Sequence, residues 1–308
     1  MEKLDFNLLK EVALIDAIPT GAYNIRKNGS SAGRFSTENI RIETKTDKNG
    51  IDINIKSGTK GETVHIPVII TDTGYSETVY NDFFIGDDCD VTIMAGCGIH
   101  NCGDEASRHD GVHTFYIGNN SVVRYAERHY GEGEGNGERI MNPETVVYVG
   151  EGATIQMDTT QIRGVDSTAR KTTIVLAKDA NAIINEKLLT HGKQYAESDM
   201  NLVLNGENAN GRIISRSVGQ DDSKQVFRPC VTGKAKCFGH IRCDSILMDK
   251  ATISSIPAVA AEHPEANLVH EAAIGRIAGD QLIKLMTLGL TEEEAEEKIL
   301  AGFLGEEN

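Results

Sequence analysis

Two rows of side chains in this 308-residue sequence are of the kinds that bind transition metals or handle sulfur. The first runs from Cys237 to Gly275 and carries Cys237, Cys243, Asp244, His270 and Glu271. Thiolates are soft ligands for iron and zinc, imidazole binds both, and an ionised carboxylate completes or positions such a centre. Cys237 lies six residues before Cys243. On one continuous strand both would face the same side, whereas in a coiled arrangement they could straddle a corner. Each residue also has a plainer use: a free cysteine is often a small buried hydrophobe, Asp244 can close a turn, and His270 can cap a helix. Cys230, directly after Pro229, adds little to the row.

The second row is CGIHNCGDEASRHDGVH, from Cys97 to His113, with Cys97, His100, Cys102, His109 and His113 beside Asp104 and Glu105. Its spacing is denser than a zinc finger's and fits none of the usual zinc frames. It reads either as an iron or zinc site or as a glycine-rich loop with hydrogen-bonded histidines. A third stretch, GEGEGNGERIMN from Gly131, alternates glycine with acid. Phosphate cradles need unopposed backbone amides and a lysine, so this is a turn. Neither THGKQY at Thr190 nor TGKAK at Thr232 completes a phosphate-loop motif, so by that route the chain is no ATPase.

Composition narrows the class of function. A formal charge of −15 speaks against nucleic-acid backbones and anionic lipid. No run of eighteen apolar residues suggests a membrane span. MEKLDFNLLKEVAL lacks the basic-then-apolar order of a secretory signal, so the expected location is cytoplasmic. Six cysteines in such a chain read as thiols or ligands rather than as a disulfide framework.

The elements that must hold these rows are mainly strands. Residues 1 to about 20 read as one short helix with Leu8, Leu9, Val12 and Ala13 on its apolar face. From Ile40 the period is two, through Ile42, Ile51, Ile53, Ile55, Val64 and Ile66, and Pro67 suggests an edge or a bend. Then a unit repeats: FIGDDCDVTI, YIGNNSVVRY, YVGEGATIQM, LAKDANAII, LNGENANGRI and VTGKAKCF. Their turn positions Gly86, Gly118, Gly150, Lys178, Gly206 and Gly233 recur every 27 to 32 residues. Each unit holds two or three strand-like runs and no crossover helix, which favours a parallel β-solenoid over a β-sandwich. From Ala266 the apolar spacing approximates a helix, through Leu268, Ala272, Ile274 and Ile277 to Met286, closed by Gly289. Thr291 and Glu294 then form a capping box for a second helix, and the pair is expected to cap the last coil, dock a partner or both.

SRSVGQDDSKQVFR from Ser215, CDSILMD from Cys243 and HEAAIGRIAGDQLIKLMTLGLTEEEAEEKILAGF from His270 resemble the core domain of the SufB/SufD family of iron–sulfur cluster assembly proteins, over roughly residues 75 to 304. The resemblance implies a mainly-β right-handed parallel β-helix with C-terminal helices, divided into residues 1–75 leading in, 76–262 as β-helix and 263–308 as a helical subdomain docking an ATPase. It also implies a non-enzymatic scaffold, an iron–sulfur cluster as cofactor, a SufC-like ABC ATPase as partner and apo-proteins as recipients. Cys243 matches the cysteine that accepts sulfur or holds the nascent cluster, and Glu271 the glutamate placed near it across the core interface. Asp244, His270 and Cys237 stand as neighbouring candidates, and Cys97, Cys102 and His100 as additional ligands. The chain lacks most of the N-terminal region of larger SufB proteins and is similar to the compact forms of archaea and anaerobic bacteria, which implies a homodimer through the β-helix core. Two other readings remain open from sequence: a solenoid enzyme acting on a polysaccharide, disfavoured by few aromatics and no Trp, and an adaptor with a structural zinc.

Overall fold

A computed structural model describes residues 3–305 and shows two sheets wound from one ascending coil. The first, ten-stranded, runs in the order β2 (Ser30–Phe35), β1 (Ala22–Lys27), β5 (Lys60–Ile70), β7 (Asp90–His100), β9 (Val122–Glu132), β12 (Thr154–Arg163), β14 (Asn181–Thr190), β16 (Asn210–Gly219), β18 (Cys237–Leu247), β21 (Ala266–Gly275). The second runs from β3 (Ile40–Thr44) through β4 (Gly50–Ile55), β6 (Ser76–Ile85), β8 (Ser107–Ile117), the split pair β10 (Arg139–Met141) and β11 (Glu144–Val149), β13 (Ser167–Leu176), β15 (Tyr195–Leu204) and β17 (Lys224–Gly233). It ends on a second split pair, β19 (Thr252–Ser255) and β20 (Ala258–Ala261). From β5 on, consecutive strands alternate between the sheets and each pairs in parallel with the strand one coil away, as β7 does with β5 and β9. That is the β-solenoid; a sandwich would pair neighbours antiparallel.

The repeat builds the corner between the sheets. After each second-sheet strand the chain turns at Gly86, Gly118, Gly150, Lys178 or Gly206, and these stack, with the Gly118 amide on the Ile85 carbonyl and the Gly150 amide on the Ile117 carbonyl, both at 2.9 Å. One or two residues further on, Asp88, Asn120, Gly152, Asp179 and Asn208 take φ of 55°, 55°, 64°, 55° and 59°. That left-handed region is tolerated by glycine, Asn and Asp and disfavoured for other side chains, which is why the repeat keeps its turn chemistry without an invariant letter. Alternate side chains point inward, and equal register stacks like on like: Phe83 lies on Phe115 inside with centroids 4.2 Å apart.

Three expectations need correction. Helix α1 (Lys3–Ala13) ends seven residues short of Thr20, where Leu14 turns left-handed at φ 54°; residues 1–2 lie outside those described. Pro67 sits inside the central strand β5, where the β1 ladder has no pair between Tyr23–His65 and Arg26–Val68, so its missing N–H falls in a gap. Residues 266–275 are a strand, the tenth of the first sheet, and not the start of a helix. The tail contributes α2 (Gly279–Met286) and α3 (Glu292–Leu304), with residues 306–308 outside those described. The Thr291–Glu294 capping box is present, closed at the far end by Gly305 at φ 68°. Helix α3 buries Leu300 and Leu304 on Val218, beside Leu189 and Ile246, on the flank of the coils. It does not lie over the last coil, whose strand β20 is exposed throughout.

Candidate functional site

The first row falls at the C-terminal end of the solenoid. On β18 the residues Cys237, Ile241, Cys243 and Ser245 face the interior, while His240, Arg242 and Asp244 face out. Cys237 and Cys243 do share a side, as continuous-strand spacing demands, but six residues of strand are roughly 20 Å, too far for one metal. Cys243 is in register with Ser215 on β16 and with Ala272 on β21. Its thiol is pushed up by burial, with Ser255 opposing the shift and Glu186 and Asp244 adding to it. A metal taken by this sulfur must therefore displace a firmly held proton.

Glu271 pairs in register with Arg242, one residue out of step with Cys243, and so lies on the opposite, outer face of the sheet. Its Oε2 is 3.4 Å from His240 Nε2, an ion-pairing separation without the alignment of a hydrogen bond. Asp244 is held outward by Arg242 Nε at 2.8 Å. His270 pairs with Ile241, on the register face of Cys243, and is exposed because no further coil covers β21. Within one chain, then, the fold brings Glu271 to His240 and leaves it facing away from Cys243.

The second row divides in two. Cys97 points into the solenoid from β7, among Val68, Ile70 and Ile99, and burial raises its thiol well above the usual range with Glu77 and Glu127 adding. His100 and Cys102 stay outside, where Cys102 Sγ is 3.0 Å from His100 Nε2 and His100 Nδ1 is 3.1 Å from Glu132 Oε1. His109 and His113 project inward and belong to a network described next; the hydrogen-bonded reading of this row holds for His100 and His113, while His109 Nδ1 lies near Glu77 without a hydrogen bond. The glycines on either side of Cys97 have packing reasons: a Cβ on Gly96 would strike the Val12 carbonyl of α1, and one on Gly98 would crowd Leu8 and Val12. Among the described residues, no group of three or more His, Cys, Asp or Glu side chains is placed to hold a metal.

The interior also carries a tract of charged and polar groups, of which His109 and His113 alone stand out in the sequence. Arg26 grips Glu77 through Nε at 3.1 Å and Nη2 at 2.9 Å, with His109 Nδ1 at 3.4 Å from the same carboxylate. Despite the opposing cost of burial, the His109 imidazole and the Arg26 guanidinium hold Glu77 down at about 2. Next, Asn81 Nδ2 approaches His113 Nε2 at 3.3 Å, His113 Nδ1 meets Tyr125 Oη at 2.8 Å, and Tyr125 donates to Glu127 at 3.1 Å. Glu127 pairs with the buried Arg170, which also reaches His129 Nδ1 at 3.3 Å. Further along, Glu186 accepts from Ser198 at 2.7 Å and Ser215 at 3.0 Å, and Ser215 is the register neighbour of Cys243. A cavity of about 20 Å³ among Cys97, His109, His113, Glu127 and His129 leaves the room of one water. The tract thus spans the coils from the surroundings of Cys97 to those of Cys243. A signal for it was present: Val123, Tyr125, Glu127 and His129 alternate in one phase, the polar pair continuing the apolar one.

Comparison with known proteins agrees with this architecture. Residues 83–303 match the model of the family described as "SUF system FeS cluster assembly, SufBD core domain". The chain belongs to the SufBD core family. Among its relatives, an iron–sulfur cluster assembly SufBD family protein of Archaeoglobus fulgidus is 29% identical over 87% of this chain and 71% of the relative. That of Methanocaldococcus jannaschii is likewise 29% identical, over 87% of this chain and 85% of the relative. One of Pyrococcus horikoshii is 26% identical over 89% and 84%. This SufBD chain is thereby a component of iron–sulfur cluster assembly by the SUF system. No helix among its described residues is long and apolar enough to cross a membrane. The polysaccharide reading requires aromatic faces open to sugar. The exposed Phe84, Tyr116 and Tyr148 instead stack on one another, with centroids 5.2 and 5.5 Å apart and planes within 13°.

Proposed function

We propose that this SufBD chain is the scaffold of the assembly complex and builds its cargo, an iron–sulfur cluster, where the open ends of two copies meet. The observation that carries the reading is the placement of Cys243 and Glu271 on the last two strands of the first sheet, on opposite faces. One copy offers an inward thiol and an outward carboxylate; two copies laid end to end offer each thiol a carboxylate from its partner. β21 is paired with β18 along one side only among the described residues, and a free strand edge is a template for another chain. Around it Ile256, Val259 and Ile274 are exposed, apolar area that association would remove from water. In this arrangement Cys243 is the principal sulfur or iron ligand and Glu271 its oxygen partner. His270 is the nearest further donor, Asp244 is occupied by Arg242, and Cys237 lies too far along the strand.

The energy comes from a SufC-like ABC ATPase docked on the C-terminal helices. Helix α2 buries none of its residues, and Ile283 at 61% exposure, Met286 and the following Leu288 form an apolar face for such a partner. Finished clusters pass to recipient apo-proteins. Anaerobic reconstitution with iron and sulfide, followed by absorption and EPR spectroscopy, tests the site. The wild type is expected to acquire a cluster chromophore and Cys243→Ala to lose most of it. A full chromophore in Cys243→Ala removes the assignment.

A further inference from the structure

On the outer face of the first sheet, α1 packs on β5, β7 and β9, and α3 packs on β16. Between the two helices one outward row of side chains runs Arg128, Thr160, Lys187, Arg216, each in register with the next. At the α3 end the row meets negative charge, for Lys187 Nζ donates at 3.0 Å to the Gly305 carbonyl, where the helix dipole is negative. At the α1 end Arg128 and Thr160 line a cleft of about 190 Å³ together with Tyr130, Ile162, Arg163 and Glu11 of the helix. Among the described residues no carboxylate lies within ion-pairing distance of Arg128 or Arg163, and the Thr160 hydroxyl makes no hydrogen bond. Tyr130 spends its proton on Glu132 at 3.1 Å. The second arginine is aimed by a break in the ladder. β12 keeps step with β9 as far as the Gln161–His129 pair and then skips Ile162, so that Arg163 lies opposite Tyr130. In unbroken alternation Arg163 would share the inward phase of the buried Thr159 and Gln161; the bulge turns it out to the cleft.

We propose that this cleft binds the phosphate group of a small phosphate monoester, with Arg128 and Arg163 forked onto its oxygens and the Thr160 hydroxyl donating a further hydrogen bond. Two like charges sharing a cleft repel, and an anion between them removes that cost. A guanidinium matches phosphate with two parallel N–H donors, which a lysine cannot do. The volume fixes the class of ligand. It exceeds the needs of a bare phosphate and falls below the roughly 300–1,000 Å³ of sites for larger ligands, so the phosphate carries a few carbons, which lie on Ile162 and the Tyr130 ring. A net charge of −15 repels polyanions from the rest of the surface and leaves a small dianion as the fitting guest. Glu11 is the one acidic side chain lining the cleft, so it opposes binding. The inference is independent of the scaffold reading, since neither Cys243 nor Glu271 takes part in it.

The test is titration calorimetry of the full chain at fixed ionic strength with two probes, inorganic phosphate and glycerol 3-phosphate. Both are expected to bind at one site, the ester more tightly. Arg128→Gln and Arg163→Gln should each weaken the ester about tenfold. Glu11→Gln should tighten it about twofold, a gain that a merely structural arginine pair does not predict. Lys234→Gln, which removes a cation from the corner after β17, should change nothing. Circular dichroism checks the fold of each variant. Thr160→Val, near in shape and on the same row, carries the test if an arginine variant unfolds, with an expected loss of about threefold. Absence of binding by both probes, wild-type affinity in Arg128→Gln or Thr160→Val, or an equal loss in Lys234→Gln overturns the proposal. Binding of inorganic phosphate with exclusion of the ester overturns the monoester assignment.

Discussion

At the scale of single residues the costliest arrangement is the interior tract. An enclosed Glu127 and Arg170 gain from each other only while both are present; removing one partner of such a pair costs about 3–5 kcal/mol. The same enclosure makes the protein acid-sensitive in two windows. Burial holds His113 down at about 4 from 6.5, outweighing the attraction of Glu127. In the unfolded chain that ring takes a proton near pH 6.5, and in the folded chain it refuses one until about 4. The stability from its neutral form is complete above 6.5 and is lost as pH falls toward 4, on the order of 3 kcal/mol in all. His129 and His65 shift the same way, also by burial. Glu77 opens the second window, between 4.5 and about 2, where its protonation releases Arg26 and His109. Urea melts across pH are expected to show stability falling from 6.5 downward, with a shallower fall in His113→Gln between 6.5 and 4 and an unchanged fall below it. An equally steep fall in that variant would remove His113 from the account.

At the scale of elements, α1 shows how a strand sequence is written for what lies on it. Gly96 and Gly98 leave β7 bare so that Leu8 and Val12 approach its backbone, and Lys27 fixes the helix from the side through Asp5 at 2.7 Å. Gly96→Val is expected to cost about 1–3 kcal/mol by overpacking. Hydrogen exchange should then show amides 3–13 opening while the β circular dichroism remains; undiminished protection of α1 would contradict this. The coils were readable in the sequence because inward residues alternate with period two and the corner positions recur in the chain. What was not readable follows from partial burial. β21 lacks a covering coil, so its Ala272 and Ala273 face opposite ways without a contrast in polarity, and the residues Leu268 to Ile277 mimic a helical spacing. The polar tract was hidden for the opposite reason, since Glu127 or Arg170 on an inward position looks like the solvent face of a strand. The separation of Cys243 from Glu271 is a matter of register between β18 and β21, which spacing along the chain does not encode.

At the scale of the whole molecule, the proposed dock and the proposed junction occupy different places and can be separated. Ending the chain after Gly275 removes α2 and α3 and spares β21. It should abolish co-purification with an ABC ATPase while light scattering still finds two copies together. Ile274→Lys on the exposed surface of β21 should do the reverse. A monomeric truncation, or a dimeric Ile274→Lys that no longer binds the ATPase, would mean that the two surfaces have been exchanged.

The two ends of the coil differ in kind. At the N-terminal end the chain doubles back, β2 running antiparallel to β1 and β3 to β4, so the outermost strands are short hairpin arms out of keeping with the parallel stack. At the other end β21 offers ten residues in the direction of all the coils beneath it. A rod open at both ends would add copy to copy into a filament. Under the junction proposed above, ends that differ in this way would let growth halt at a closed pair with its cysteines at the centre.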